Sequence, residues 1–504
     1  MQYFLLLFLF GFNLKLKKEE ISSNTSSLLS NVKNSTDISR VFDSHENKIS
    51  FMLYYCCQTM INRKDDIIIP LFLSNFKYTN FDFDKLTFRQ INTTIYVDAY
   101  YLPSVLNCPI CESTSVVKNG YKTKNIKHCT NYTWLYIVTC HIQGYKCNIC
   151  NSYFYENDTF SFSNECLSRE TVFAILESLK LPNETFESVA NEFHLSKQEI
   201  INVFDKYVDY KAPTELPIVM SWDEKGKSQK LTDKPYMFVM VDFLHNKIYD
   251  ILPNRHKNYL TSYFSKIHPK IRSKVEFIVI DMWESYLDLA RIYFPKAKVA
   301  IDSFHVVKNV FNALDSVRKQ IMSKYNNGAA ELIDNHENYY ILKKFNHILL
   351  SEFDKLSNHT FYNRKLKGYY NKHSIRKLML NIDPKLKLAY ELYSKYLEFN
   401  KTTSYENAKD DIEELLEDFF NSGIKQFIEV AKTISHWKEY IINSFIYVDS
   451  IDGKSKRRLS NGPIEGINSI IEKIRINGNG FTNFYRFRNK VIYSVNKNVP
   501  LKIK

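Results

Sequence analysis

The sequence is poor in the features that mark fibrous, membrane-spanning and disulfide-rich proteins. Only 12 of its 504 residues are glycine and 13 are proline, which excludes a collagenous or low-complexity chain. No apolar run reaches the roughly 18 residues that would span a bilayer. Nine cysteines are too few for a disulfide scaffold, and an odd number argues against full pairing within the chain. A reducing, cytoplasmic compartment is therefore expected.

Positive charge is concentrated at one end of the chain. At about 150 residues per domain the chain has room for three or four domains. It carries 68 lysines and arginines against 55 acids, a net charge of +13. The segment 454–504 alone has 12 basic residues and two acids, so it supplies +10 of that charge. This asymmetry favours a polyanion partner, most often nucleic acid, over a merely solvated basic tail.

The first 50 residues contain an apolar run followed by a polar stretch. Residues 3–12 (YFLLLFLFGF) resemble the apolar region of a signal peptide, but no positive charge precedes them and no small-residue cleavage site follows. We therefore expect a buried element, or an atypical start, rather than a secretion signal. Residues 20–50 are rich in Ser, Asn and Thr and are typical of a linker.

Short apolar runs alternate with helix-like stretches between residues 216 and 310. This alternation predicts an α/β layer. Three of the runs end in an aspartate, namely Asp223, Asp281 and Asp302. Active-site residues of α/β sheets commonly lie at the carboxyl ends of strands. The following residues, 311–445, have helical periodicity, so the layer is followed by a long helical segment.

Two C-x-x-C pairs, separated by 35 residues, predict a structural zinc site. A tetrahedral Zn²⁺ site takes four soft donors, and each C-x-x-C turn directs two thiolates to one point. Coincidental or redox-active cysteines are the alternative. The predicted ligands are Cys108, Cys111, Cys147 and Cys150. Four residues between the pairs are candidate substitutes: His128, Cys129, Cys140 and His141.

Residues 185–207 have the pattern of a helix-turn-helix. Ser196 and Glu199 are spaced as a capping box at the start of the second helix. Four apolar residues are expected to pack between the two helices: Val189, Ala190, Ile200 and Val203. Three side chains would then face a DNA major groove: Lys197, Gln198 and Asn202.

Five strings along the chain carry a resemblance to a known family. They are SWDE (221–224), VDFLHNKIYDILPNR (241–255), VIDMWESY (279–286), AIDSFHVVKNV (300–310) and SNGPIEGIN followed by GFTNFYRFRNKVIY (460–493). In these strings, and in the order of its segments from about residue 100 to 495, the chain is similar to transposases of the ISL-three family of insertion sequences.

The resemblance implies a DDE transposase of α/β class. Its RNase H-like catalytic core would be interrupted by a large helical insertion and preceded by the zinc-binding module and the helix-turn-helix domain. The catalytic, Mg²⁺-binding residues carried over by motif are Asp223, Asp281 and Glu465. Two Mg²⁺ ions held by such carboxylates can activate a nucleophile and stabilise a leaving oxygen during attack on phosphorus.

The resemblance also implies the partners and the segments of the chain. The expected partners are the terminal inverted repeats of the element and target DNA. The protein is expected to bind them as a homo-oligomer, a dimer, in a bacterial cytoplasm at the nucleoid. Further DNA contacts are expected from Lys473, Arg475, Arg486 and Arg488. The segments are an amino-terminal region with linker (1–95), the zinc module (96–165), the helix-turn-helix domain (166–213), the first part of the core (214–310), the insertion (311–450) and the final core helix with a basic tail (451–504).

Several neighbours of the three acids have roles that the sequence leaves open. Asp302 is either a group that supports the ligands or a rival for the second aspartate, and His305 is expected to orient DNA or a carboxylate. Glu224 should face the other side of its strand. Asn461 and Asn468 are expected to position Glu465.

The sequence also departs from the family pattern in two places. Ser303 stands where relatives have arginine, and Ile470, Glu472 and Ile476 interrupt a basic run. These departures keep a second function open, that of a non-catalytic zinc and helix-turn-helix regulator derived from a decayed transposase. A third, an RNase H-like nuclease acting on RNA–DNA hybrids, is disfavoured because it would not need a sequence-reading front end.

Overall fold

A computed structural model describes residues 80–129, 134–226, 231, 235–325, 333–351 and 356–502. The apolar run 3–12 and the linker 20–50 lie outside these residues. Within the described part of the chain, no helix is both long and apolar enough to cross a membrane. The fold is mixed α/β, as the sequence predicts.

Fourteen strands are present in the described residues, and the first five share one sheet in the order β1-β2-β4-β3, with β5 paired to β4. Their bounds are β1 Thr87–Ile91, β2 Thr94–Tyr100, β3 Val116–His128, β4 Leu135–Cys147, β5 Tyr153–Tyr155, β6 Val219–Gly226, β7 Tyr236–Asp242, β8 Lys247–Leu252, β9 Phe277–Ile280, β10 Lys298–Ile301, β11 Phe361–Asn363, β12 Gly368–Tyr370, β13 Tyr447–Asp449 and β14 Lys456–Arg458.

The described residues also contain α-helices before, between and after strands β6 to β10. Their bounds are α1 Arg169–Leu179, α2 Phe186–Glu192, α3 Lys197–Tyr207, α4 Lys257–Ser265, α5 Pro269–Arg272, α6 Glu284–Tyr293, α7 Ser303–Lys324, α8 Ile333–Lys344, α9 Asn346–Leu349, α10 Lys372–Asn381, α11 Pro384–Thr402, α12 Ala408–Asn421, α13 Lys425–Asn443, α14 Gly462–Asn477 and α15 Phe484–Asn496.

The chain divides into two compact units. Within its described part, the smaller consists of residues 80–86, 99–123 and 141–163, and the larger of 87–98, 124–140 and 164–502. Phe81 centres the aromatic core of the smaller unit, because its ring lies 4.9 Å from that of Tyr101 and 5.4 Å from that of Phe160. The Tyr101 hydroxyl donates to Asp158 at 2.7 Å, so the tyrosine also fixes the loop that contains Asp158.

The larger unit is built on a five-stranded sheet in the order β10-β9-β6-β7-β8. Strand β7 runs antiparallel to β6 and β8, whereas β9 runs parallel to β6 and β10. Successive residues of β6 alternate between two buried faces: Met220 and Trp222 join the main core, and Val219 joins a smaller one. Burial on both faces explains why these strands read as continuous apolar runs.

In its described residues, the segment between β10 and α14 contains helices and two short hairpins. Helices α7 to α13 lie here, and the hairpins are β11–β12 and β13–β14. Apolar side chains of these helices belong to the same core as one face of the sheet, including Leu314 of α7, Tyr396 of α11 and Ile434 of α13. A shared core explains how so long a segment can be added without a core of its own.

Candidate functional site

The strand register aligns three aspartates across the sheet. Ser221 of β6 pairs with Val279 of β9, so extending that register by two residues places Asp223 beside Asp281. In the same way Ile280 pairs with Ile301 of β10, and the next pair is Asp281 and Asp302. The three acids thus form one row, where β9 and β10 end and β6 passes beyond them.

The side-chain alternation of each strand directs this row to one face of the sheet. In β6, every second residue faces the same side of the sheet, so Asp223 shares its face with Val219. Val219 belongs to the smaller core. Glu224 points the other way, as expected, and accepts a hydrogen bond from the Tyr286 hydroxyl at 3.2 Å. It also pairs with Arg255, whose guanidinium lies between the rings of Tyr236 and Trp283. Arg255 ends one of the family strings, but the sequence alone did not indicate its pairing with Glu224.

Helix α14 brings its first two turns to the row of aspartates. Pro463 is favourable in a first turn, where no intrahelical N–H bond is lost. Asn461 precedes the helix without capping it: its amide donates to Asp281 at 2.9 Å and its backbone N–H to Asp302 at 2.9 Å. One further donor, the amide of Asn468, reaches Asp223 at 2.5 Å.

Glu465 lies between these two asparagines on the same side of α14. Spacings of four and three residues place 461, 465 and 468 on one helix face. We expected Asn461 and Asn468 to position Glu465, but their side-chain amides bond Asp281 and Asp223, and the backbone N–H of Asn461 bonds Asp302. Glu465 itself is exposed in the first turn, where the positive end of the helix favours a carboxylate.

His305 contacts the second aspartate. Its Nε2 lies 3.0 Å from Asp281 Oδ2, and this interaction raises the pKa of the imidazole. His305 was expected to orient DNA or a carboxylate, and in the structure it contacts the carboxylate of Asp281. Ligand atoms of Asp281, Asp302 and His305 all lie within 4.8 Å of one another, so Asp302 also stands where it could contact an ion.

The site concentrates negative charge, of which His305 compensates only a part. Burial raises the pKa of Asp223 to about 7, and the charge of Asp281 adds to the shift. Burial also raises the pKa of Asp302, which is 2% exposed, and the charges of Asp281 and Glu465 raise it further.

Three buried oxygens at the site have no hydrogen-bond partner among the described residues. They are Asp302 Oδ2, Asn461 Oδ1 and Asn468 Oδ1. Unpaired buried acceptors are costly. Together with three crowded carboxylates, they are the hard oxygen donors that Mg²⁺ prefers, so these residues fit a divalent cation.

Four cysteines converge in the smaller unit. The Sγ atoms of Cys108 and Cys150 are 3.6 Å apart, and those of Cys111 and Cys147 are 3.5 Å apart. Ligands of a tetrahedral ion with Zn–S bonds of about 2.3 Å lie about 3.8 Å from one another. The spacing is therefore compatible with Zn²⁺.

The two C-x-x-C turns have the same local structure. Glu112 and Asn151 each follow the second cysteine of a pair, and both adopt a left-handed backbone with φ of 59° and 57°. The N–H of Cys108 donates to Ser113 O at 2.9 Å, and the N–H of Cys147 donates to Ser152 O at 3.0 Å. Such a matched pair of turns favours metal binding over coincidental cysteines. The four candidate substitutes lie outside the group: His128, Cys129, Cys140 and His141.

Helices α2 and α3 lie where the sequence predicts two helices joined by a short turn. Ser196 and Glu199 form the predicted capping box, in which the Ser196 N–H donates to the Glu199 carboxylate at 2.9 Å. The four apolar residues expected between the helices are buried: Val189, Ala190, Ile200 and Val203. The three polar residues expected to face outward are exposed: Lys197, Gln198 and Asn202.

The carboxy-terminal basic residues differ in their availability to DNA. Lys473 is exposed, whereas Arg475 is paired with Glu472, which also lies 3.6 Å from Lys225. In α15, Arg486 pairs with Asp205 of α3. A second internal pair joins Arg488, 11% exposed, to Asp250, 6% exposed. This pair gives Arg488 a structural role, and its contact with DNA stays a prediction.

A comparison with known proteins gives one family. A family profile described as a transposase, of the DDE type and the ISL-three group, matches residues 222–491, more than half of the chain. No curated protein matches the chain.

Proposed function

The chain belongs to the ISL-three family of transposases, and on that basis we propose that it binds the terminal inverted repeats of its insertion sequence and catalyses Mg²⁺-dependent DNA cleavage and strand transfer. The observation that carries the proposal is the row of Asp223, Asp281 and Asp302, to which α14 adds Glu465. Carboxylates so close together repel one another, and a bound cation would offset that repulsion.

An RNase H-like core is part of the proposal. It is supported by the sheet order, in which the antiparallel meander β6-β7-β8 is followed by the two parallel strands β9 and β10 on the far side of β6. The helical segment between β10 and α14 would be the insertion that separates the last carboxylate from the first two. The family match spans both parts of this core.

Each acid then has a defined role. Asp223 would be shared by both ions, and Asp281 and Glu465 would each hold one of them. When bound, Mg²⁺ would neutralise the carboxylates and stabilise charge that develops on the phosphate oxygens. Asn468 orients Asp223 and Asn461 orients Asp281, so the carboxylates are held in position before DNA arrives.

DNA recognition is proposed for the two amino-terminal elements. The cysteine cluster would hold a structural Zn²⁺ ion, because four thiolates leave no open coordination position. The second helix of the pair, α3, would enter the major groove with Lys197, Gln198 and Asn202. The basic residues of segment 454–504 would add contacts to phosphates. Of the four DNA contacts predicted there, Lys473 is the most exposed.

The experiment is a cleavage assay on duplexes that carry the element ends. Wild-type protein should cut at the ends with Mg²⁺ and not with EDTA. Asp223→Asn, Asp281→Asn and Glu465→Gln should each abolish cutting and leave end binding nearly intact, whereas Asp288→Asn, a surface acid paired with Lys257, should cut normally. Normal strand transfer by any of the three variants would disprove the role of that acid.

A second candidate function has one observation in its favour. Glu472 neutralises Arg475 on α14, which weakens the basic surface beside the carboxylates. This favours a non-catalytic regulator that keeps its DNA-binding elements. Under that function wild-type protein would bind the repeat ends and never nick them in Mg²⁺.

A further inference from the structure

A hairpin within the helical segment has an unusual composition. It is formed by β11 and β12, in which Tyr362 pairs with Tyr369 across the ladder. The residues around it, 356–382, contain no Asp or Glu. They contain six lysines and arginines: Arg364, Lys365, Lys367, Lys372, Arg376 and Lys377.

The tip of the hairpin is basic and accessible. Arg364, Lys365 and Lys367 are exposed. Lys367 adopts a left-handed backbone with φ of 46°, and Gly368 follows it. Three cations within four residues repel one another, so their grouping costs stability unless a polyanion binds.

The two paired tyrosines present their rings to solvent. Tyr362 is 54% exposed and Tyr369 is 78% exposed, and their ring centres lie 5.1 Å apart with planes inclined by 59°. Exposed apolar residues scattered singly are common, whereas neighbouring ones that form a patch often mark a binding site. This pair stands beside the cations of the tip.

The turn of the hairpin is fixed by hydrogen bonds of one buried side chain. Asn363 is buried, and its side-chain oxygen accepts from the N–H groups of Lys365 at 3.0 Å and Leu366 at 3.2 Å. Its amide donates to the Tyr340 hydroxyl of α8 at 3.3 Å. Because the tip is fixed by these bonds, the exposed side chains are displayed at little cost in chain entropy.

A cavity of about 750 Å³ lies against this hairpin and α8. Its lining contains Lys365 of the hairpin, whose ammonium lies 4.7 Å from the centre of the Tyr340 ring. Other lining residues are His336, Glu337, Tyr339, Lys343 and Lys344. Cations and tyrosines thus continue from the tip onto the helix.

We propose that this surface, comprising the hairpin 361–370 and the cationic side of α8, binds single-stranded DNA. A duplex offers its phosphates to cations but keeps its bases stacked, so it would use the lysines and leave the tyrosines exposed. Unpaired bases can stack on exposed aromatic rings while the backbone follows the cations. The inference rests on the proposed function in one respect: DNA cleavage would supply the single strands, released near the cut ends.

The test compares full-length variants in fluorescence anisotropy with labelled oligothymidine and with a duplex of equal length. The double variant Tyr362→Ala, Tyr369→Ala should bind oligothymidine at least about tenfold more weakly, because each stacked base contributes substantially, and should bind duplex as the wild type does. In Arg364→Gln, Lys367→Gln the slope of log K against log salt should fall by about 1.4, as for two lost contacts to a single strand.

Two control variants carry substitutions elsewhere on the surface. Tyr447→Ala removes an exposed tyrosine, and the double variant Lys387→Gln, Lys432→Gln removes two exposed lysines. These should bind oligothymidine as the wild type does, and circular dichroism should show every variant folded. Wild-type affinity in the tyrosine variant, or an equal loss for duplex, would overturn the inference. Failure of the proposed function is a separate result: wild-type protein would not cleave element ends, whatever the tyrosine variant binds.

Discussion

The side-chain amide of Asn468 donates a 2.5 Å hydrogen bond to Asp223, a residue 245 positions earlier in the chain. This bond joins α14 to β6, and Asn461 makes the equivalent connection to Asp281 at the start of the same helix. Because Glu465 lies between these two donors, the bonds that hold the aspartates also fix the helix that carries Glu465. The arrangement of the candidate active site therefore depends on amides as well as on acids.

Removal of one of these amides should impair the use of metal more than the binding of DNA. In Asn468→Ala, Asp223 loses its donor, so its carboxylate is free to rotate away from the orientation in which it would bind ions. We expect the Mg²⁺ concentration for half-maximal cleavage to rise about tenfold, with end binding unchanged. Asn468→Asp should be more harmful, since it adds a further negative charge to the cluster. Unaltered Mg²⁺ dependence in Asn468→Ala would disprove this positioning role.

The raised pKa of Asp223 predicts how the stability of the metal-free protein depends on pH. The pKa of the folded state, about 7, exceeds the usual value of 3.8, so the folded state binds more protons between these limits. Stability should therefore fall as the pH rises from about 4 to about 7, by at most about 4 kcal/mol. In differential scanning calorimetry with EDTA, Asp223→Asn should lose less stability than the wild type over that range. The account would be contradicted by identical pH dependence in the two proteins.

Zinc removal should act on the smaller unit and leave the catalytic residues in place. Cys108→Ser or Cys147→Ser should lower the zinc content measured by elemental analysis and weaken binding to the element ends. Cys166 provides a control, because it is exposed and lies outside the cluster. Cys166→Ser should keep both properties. Full zinc content in Cys108→Ser would refute the assignment of that ligand.

The two arginines of α15 should separate in an unfolding experiment. Arg488→Ala leaves Asp250 buried without its partner, which should cost about 3–5 kcal/mol. Arg486→Ala breaks a more exposed pair with Asp205 and should cost about 0–1 kcal/mol. Urea unfolding of both variants measures the difference. Equal costs would mean that the Arg488 pair is no more important to stability than a surface pair.

Features encoded by neighbouring residues could be predicted from the sequence. The capping box at Ser196 and Glu199 depends on a spacing of three residues, and the two C-x-x-C turns depend on a similar spacing. The α/β pattern follows from runs whose faces are both buried. The family match covers the strings from which the resemblance was identified.

Features that join distant parts of the chain could not be predicted in this way. The partners of Asn461 and Asn468 are set by the docking of α14 on the sheet, which no local spacing encodes. The pairing of Arg488 with Asp250 spans 238 positions, so a basic residue in a basic tail gave no sign of its burial. Strand pairing likewise decides the row of aspartates, and the sequence offered only their position at the ends of apolar runs.

The central claim, that Asp223, Asp281 and Glu465 hold a pair of divalent ions, is tested most directly by anomalous diffraction from crystals of the protein grown with Mn²⁺. The account predicts two Mn²⁺ peaks, with Asp223 contacting both, Asp281 contacting one and Glu465 the other. A single peak held by Asp281, Asp302 and His305, with Asp223 and Glu465 out of reach, would contradict it.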